Sequence, residues 1–298
     1  MLQGLLTEAG ACAAGVCACA EVPAADRILL QAWLARGCHG GMDYLERNAP
    51  LASDPATLLP GARTVLCAAF PYAPSDNSDR HPLFADYARG ADYHKVVRRR
   101  LRPVARALEA MVPGSQTRIC VDTAPVRERL WAVAAGLGHF GLNGLLIVPG
   151  HGSKVFLGEI LWTADVDGAA DAPTALPLPS CAGCGACVRA CPGGALDGRG
   201  GMDACRCLSY LTIEHRGALP DGLALTGRVY GCDICQDVCP ENPRQGNPLP
   251  DFVLSERLRQ ATADSLAAMD DDAHAAFFAG SAARRASAAQ LRRNLERH

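Results

Sequence analysis

The sequence predicts an α+β chain in three parts. These are an N-terminal α/β sandwich over residues 1–175, a small cysteine-fixed domain over 176–245, and a short helical tail over 246–298. Three observations predict it. Up to residue 162, short apolar runs bounded by Pro and Gly alternate with segments of helical spacing. Nine cysteines then crowd into a loop-rich stretch with few large apolar side chains. Beyond residue 250 the pattern is again helical and ends in Arg284, Arg285, Arg292, Arg293 and Arg297.

The chain has 298 residues, 49% hydrophobic and 20% charged, an ordinary globular composition with room for two domains. No apolar run reaches the length of a membrane span. Met1-Leu2-Gln3 opens no basic n-region, so no signal peptide is expected, and fifteen cysteines in such a chain point to a reducing cytoplasm. A formal net charge of −2 neither proposes nor excludes a nucleic-acid partner. A polyanion would need a local basic patch.

Residues 1–60 are expected to be helix-rich. Ile28, Leu29, Ala32 and Trp33 fall at helical spacing in 24–36, and Gly37 suits the C-cap. Cys12, Cys17, Cys19 and Cys38 sit among small residues and read as buried hydrophobes. Residues 64–70 read as a buried strand between Pro60-Gly61 and Pro71. A helix is expected from about 92 to 111, with Pro103 ending or kinking it. It carries Lys95, Arg98, Arg99, Arg100, Arg102 and Arg106, either a solvated face or a phosphate-contacting patch. Residues 117–121 form a short strand, and Asp122-Thr123-Ala124-Pro125 turns into a helix over 126–137 with Pro125 in its first turn. Asp122 is then either a cap or a general acid over the strand ends. A glycine-rich bend over 136–144 leads into strands over 145–148 and 155–162. Its spacing fits no dinucleotide fingerprint, and no P-loop is present. Residues 165–179 and 243–250 read as linkers.

The cysteine pattern is specific. Cys181, Cys184, Cys187 and Cys191-Pro192 form C-x2-C-x2-C-x3-C-P, and Cys232, Cys235 and Cys239-Pro240 repeat its end. This is the ferredoxin-like pattern of two [4Fe–4S] clusters, in which the fourth Cys of each run ligates the other cluster. One cluster then takes Cys181, Cys184, Cys187 and Cys239. The other takes Cys191, Cys232, Cys235 and a remote thiol, Cys205 or Cys207. Zinc is the alternative occupant of such thiolates, and a disulfide framework does not suit the chain's length and compartment.

Four motifs in order carry a family resemblance: Arg89-Gly-Ala-Asp-Tyr-His-Lys95, Val121-Asp-Thr-Ala-Pro-Val-Arg-Glu-Arg129, Leu208-Ser-Tyr-Leu-Thr-Ile-Glu-His-Arg-Gly217 and Tyr230-Gly-Cys-Asp-Ile-Cys-Gln-Asp-Val-Cys-Pro240. Together they resemble epoxyqueuosine reductase. The resemblance implies a cobalamin-dependent enzyme with two [4Fe–4S] clusters that reduces epoxyqueuosine to queuosine at the tRNA wobble position. It implies that the N-terminal domain holds the corrinoid and that the clusters feed it electrons. It selects Cys207 as the remote ligand and Asp122 as proton donor, with a pKa raised by its surroundings. It places Tyr93 and His94 in the substrate and corrinoid pocket, Leu146 and Leu157 along the corrinoid, and Ser209, Thr212, His215 and Arg216 where the cluster side closes the site. It also implies tRNA and an electron-donor protein as partners, for a monomer with no membrane attachment.

The chain departs from the family at Gly141-Leu142-Asn143-Gly144, where Gly-Lys-Asn-Thr is common. That puts a phosphate or substrate contact there in doubt. The family's C-terminal helical repeats begin about where this sequence stops. Two other readings compete: a corrinoid iron–sulfur reductase of a small molecule, similar to the reductive dehalogenases, and a plain electron carrier, which has no need of cobalt.

Overall fold

The structure is a computed structural model that describes every residue except 1, 176, 177, 182 and 244. The expected boundary at 175/176 and part of each linker fall on residues outside those described. Among the described residues six strands occur: β1 (Ala13–Ala18), β2 (Thr64–Pro71), β3 (Thr117–Cys120), β4 (His139–Phe140), β5 (Leu146–Ile147) and β6 (Val155–Trp162). β1, β2, β6 and β3 form one antiparallel sheet in the order β1-β2-β6-β3, and β4 and β5 form a separate ribbon. All eight residues of β2 are buried, because the sheet is covered on both faces.

Five helices belong to this part: α1 (Leu2–Glu8), α2 (Ala24–Ala35), α3 (Asp43–Ala52), α4 (Tyr93–Met111) and α5 (Glu128–Ala134). α4 covers one face, burying Val96, Val97, Leu101, Val104, Ala105 and Leu108 against Leu66, Ala68, Phe70 and Ile160. It approaches closely because Gly158 lacks a Cβ, which would lie 2.5 Å from Val97 and 2.9 Å from Leu101. Pro103 lies inside α4 without ending it. A mid-helix proline costs about 3 kcal/mol, and each large apolar side chain buried contributes about 1.5–3 kcal/mol, so the packed stripe prevails. α5 covers the other face, with Leu130, Trp131 and Ala132 against Cys17, Val65, Cys67, Ala69 and Leu161. The register places Glu159 on this face, opposite Cys67 on one side and Cys120 on the other.

Two expectations change. Ala13–Ala18, read only as small buried residues, is the edge strand β1, and Cys17 on it is fully buried. α5 starts at Glu128, so Pro125 lies in the preceding turn and not in the first helical turn. The turn before it opens at Asp122, which has a left-handed backbone. The Gly37 C-cap is present: Gly37 N–H donates to Leu34 O at 2.8 Å and Cys38 N–H to Trp33 O at 3.3 Å.

Short helices α6 (Ala186–Ala190), α7 (Leu208–Ile213) and α8 (Ile234–Asp237) carry the cysteine region. α8 is fastened to the sheet by buried charges. Lys154 Nζ lies 2.6 Å from both Asp86 and Asp237, the Asp86 N–H donates to Asp233 at 2.8 Å, and the fully buried Arg89 reaches Asp79 at 2.9 Å. Removing one partner from such a set strands a buried charge at about 3–5 kcal/mol.

The tail forms α9 (Glu256–Arg259), α10 (Ala263–Ala267), α11 (Asp271–Phe277) and α12 (Ala288–Leu295). It is packed down rather than free. Leu249 and Phe252 enter the core beneath α4, and Leu254, Leu258, Phe278 and Leu291 join Phe84 from the sheet side and Ile213, Val229 and Tyr230 from the cysteine side. Among the described residues no helix is long and apolar enough to cross a membrane.

Candidate active site

α4 begins at the corner where the site is built. Asp92 caps it by accepting the His94 N–H at 3.1 Å, and the same oxygen meets His94 Nδ1 at 2.7 Å. On the other side of the ring, Nε2 meets Asp122 Oδ2 at 2.8 Å. An imidazole bonded to a carboxylate at each nitrogen carries both ring protons. Burial alone would lower the His94 pKa, but the hydrogen bonds to Asp122 and Asp92 outweigh it and lift it to about 9. Burial would raise Asp122, but the bond to His94 and its charge hold the carboxyl below its ordinary range. The expectation of a raised Asp122 pKa is therefore corrected: the proton rests on His94, and the two residues hold it as a pair.

Asp122 follows β3 with a φ of 49°, a strained region for a residue with a side chain. Its N–H donates to Glu128 Oε1, which pins the turn, while its side chain is 51% exposed and open to a ligand. Tyr93 stacks on His94 at 4.1 Å and on Phe156 at 4.3 Å, with its hydroxyl toward Asp122. Arg98 donates to the Thr123 hydroxyl at 3.4 Å. Because β3 stops at Cys120, residues 155–158 of β6 have, among the described residues, no strand partner on that side.

The opposite rim was not foreseen. Arg285, from the tail, pairs with Glu214 through two bonds of 2.8 and 2.9 Å and lies over the Tyr44 ring at 5.8 Å. Its charge reaches Asp122, as does that of Glu214 to Tyr44. Glu214 adjoins the expected His215 and Arg216: the His215 ring bonds locally, Nε2 to Ala218 O at 2.9 Å, while its carbonyl accepts from Gln290 and Arg293 of the tail and Arg216 donates to Gln290. Thr212 is buried, its hydroxyl donating to Leu208 O and accepting from Gly231 N–H, and Ser209 is half-buried on α7. Leu146 is buried in the ribbon opposite Phe140, and Leu157 is half-buried in β6 opposite Ala69. Of the basic residues on α4, Arg99 and Arg100 are engaged by Asp251 at 2.5 and 2.6 Å, whereas Arg102 and Arg106 are exposed.

The thiols fall into two groups. Cys181, Cys184, Cys187 and Cys239 line one cavity with Leu142, Asn143 and Ile147. Cys235 lies within electrostatic reach of Cys232, Cys207 and Cys191. Cys205 points elsewhere, its Sγ 3.4 Å from Gly37 O.

Residues 180–242 match a 4Fe-4S double cluster binding domain, and residues 53–123 match the family described as epoxyqueuosine reductase QueG, DUF1730. The epoxyqueuosine reductase of Gloeobacter violaceus is 41% identical, over 89% of this chain and 84% of its own. The chain belongs to the epoxyqueuosine reductase family. The Synechococcus epoxyqueuosine reductase is 37% identical over 97% of this chain and 89% of its own. A crystal structure of epoxyqueuosine reductase with an epoxyqueuosine-modified tRNA-Tyr stem loop superposes with a TM-score of 0.84 at 26% identity, covering 99% of this chain and 78% of that one. The Bacillus subtilis epoxyqueuosine reductase, with its catalytic aspartate loop swung out of the active site, gives 0.82 at 25% identity over 99% and 78%.

Proposed function

We propose that this chain reduces epoxyqueuosine to queuosine in tRNA, with Asp122 and His94 as its proton-handling pair. The observation that carries the reading is that pair, open to solvent beside a double-cluster domain. A small-molecule reductase is not favoured, since the matched relatives are epoxyqueuosine reductases.

The clusters are assigned as in the cysteine pattern, with Cys207 rather than Cys205 completing the second set. The thiols suit clusters better than zinc. Residues 180–242 match a 4Fe-4S double cluster binding domain, and the four thiols of the first set line one cavity. The backbone edge at 155–158, which has no strand partner on that side among the described residues, suits cobalamin, whose rim of amides can bond to backbone N–H and C=O groups. Tyr93, His94, Leu157, Leu146 and Ser209 would line it. When bound, cobalamin supplies a cobalt centre that takes single electrons from the clusters and delivers them to the substrate. His94 holds a proton at neutral pH, and Asp122 presents it to the epoxide oxygen. The relatives' catalytic aspartate loop has been seen swung out. By analogy, the strained turn at Asp122, pinned by Glu128, positions the acid when closed. tRNA would meet the exposed Arg98 and Arg102 beside the site. A separate electron-donor protein, a monomeric state and a cytoplasmic location complete the reading.

The test is nucleoside mass spectrometry on reconstituted protein with cobalamin, a strong reductant and epoxyqueuosine-containing tRNA. Cobalamin-dependent queuosine is expected, and Asp122→Asn should abolish it while retaining cobalamin. No queuosine from protein with intact clusters and bound cobalamin would overturn the reading.

A further inference from the structure

Behind Asp122 lie two more carboxylates that the reaction as described does not use. Glu159 is fully buried at the centre of β6, and among the described residues neither of its oxygens meets a hydrogen-bond donor while both glutamates are ionised. Glu128 packs against it from α5 and accepts the Asp122 N–H. Across the sheet Glu159 faces Cys67 on β2 and Cys120 on β3. Burial keeps both of those as thiols, Cys120 pushed up to about 12. The cations that reach Glu128 are Arg129, committed to Gly144 O, and His94, committed to its two aspartates. Two ionised carboxylates with no cation of their own cannot share an apolar site.

We propose that Glu128 and Glu159 share one proton and form a store behind Asp122 that supplies the second proton of the deoxygenation. The inference rests on the functional reading above. Opening an epoxide to an alkene with loss of water takes two electrons, from the reductant the reaction already requires, and two protons. The first proton, from the His94–Asp122 pair, goes to the oxygen as the first carbon–oxygen bond breaks, leaving a hydroxyl group and an electron pair on carbon. That pair forms the second bond of the alkene as the other carbon–oxygen bond breaks. The second proton passes from Glu159 through Glu128 to Asp122 and on to the departing hydroxyl, which leaves as water. Solvent restocks the store through the exposed Asp122. Burial and the Asp122 charge lift Glu128 to about 7, and burial with the neighbouring Glu128 lifts Glu159 well above the carboxylate range, in keeping with a proton held at neutral pH. Glu128 and Glu159 act through Asp122 and are positioning residues.

Two measurements test this. Infrared absorption of the cluster-loaded protein at pH 7.5 should show the carbonyl band of a protonated carboxyl that Glu159→Gln removes and Glu159→Asp restores. In the reconstituted enzyme, Glu159→Gln should slow turnover about 100-fold, the low end of the range for lost proton transfer. It should also abolish the limb of the pH–rate profile near 7, with iron content and cobalamin affinity unchanged, and Glu159→Asp should recover part of the rate. The proposal is overturned if the wild-type band is absent, since that needs no variant to fold, or if Glu159→Gln turns over with the wild-type pH profile. A wild-type chain that shows the band but makes no queuosine overturns the functional reading and not the shared proton.

Discussion

Asp92→Asn isolates the charge that holds the His94 proton. Asparagine caps a helix about as well as aspartate, so α4 keeps its start while one of the two carboxylates flanking His94 becomes neutral. His94 stands at about 9 against an ordinary 6.5, roughly 2.5 pH units, with Asp122 the larger contributor and Asp92 the smaller. Loss of the smaller contributor should bring His94 down by roughly one pH unit, about 1.4 kcal/mol. The depressed pKa of Asp92 is the same interaction seen from its partner and is not added again. A raised pKa stabilises the fold fully below 6.5 and ceases to do so as pH rises through about 9. The variant should therefore be less stable by about 1 kcal/mol at pH 7.5, with the deficit closing above pH 9. The side chain is 28% exposed, so solvent screening trims this figure rather than removing it. The assay is proton NMR of the histidine ring resonances against pH, with His94 assigned by His94→Gln, beside urea unfolding at both pH values. A His94 titration within about 0.3 pH units of wild type would show that Asp122 alone holds the proton and would refute the two-sided clamp.

Other expectations follow from single residues. Cys207→Ala should lose about half the iron while Cys205→Ala keeps it, and equal losses in an iron assay would undo the second ligand set. Arg98→Glu with Arg102→Glu should weaken tRNA binding and flatten its salt dependence, and unchanged affinity at low salt would remove α4 from the tRNA surface. Arg100→Ala should act on stability instead, because Arg100 is spent on Asp251 and on Ala9 O at 3.1 Å. Arg293→Ala should cost about 2–3 kcal/mol in urea unfolding, since this one charged group satisfies the carbonyls of Leu211, His215 and Gly217. A loss below about 0.5 kcal/mol would show that α12 holds the cysteine region without it.

Much of the sheet was legible because β2, β3 and β6 carry compact apolar runs between turn residues. β1 was not, since Ala13-Ala14-Gly15-Val16-Cys17-Ala18 has little strand propensity. Gly15 is required by packing: a Cβ there would lie 1.9 Å from Ala135 O. The cysteine groups were legible because spacing encodes them. Asp122 and His94 were legible through their motifs, but the location of the proton was not, since it depends on a bond between residues 28 apart. Glu214 and Arg285, separated by 71 positions, meet only through tertiary packing. The Lys154, Asp86 and Asp237 set was hidden for another reason. Charged residues in a sequence read as surface, and only the fold buries them.

The packed-down tail gives the molecule a mechanical unity that its three-part sequence does not suggest. Phe252 completes the hydrophobic layer under α4, while Leu254, Phe278 and Leu291 complete the layer behind Tyr230. A cut near residue 246 would not release a smaller working reductase. It would open both layers and remove the guanidinium of Arg285 from the rim of the site. Neither the sheet nor the cysteine region is then an independent module that could be transplanted or melted alone. Heating should take them together in one transition, so that bleaching of the iron–sulfur colour reports the collapse of a β-sheet that contains no iron.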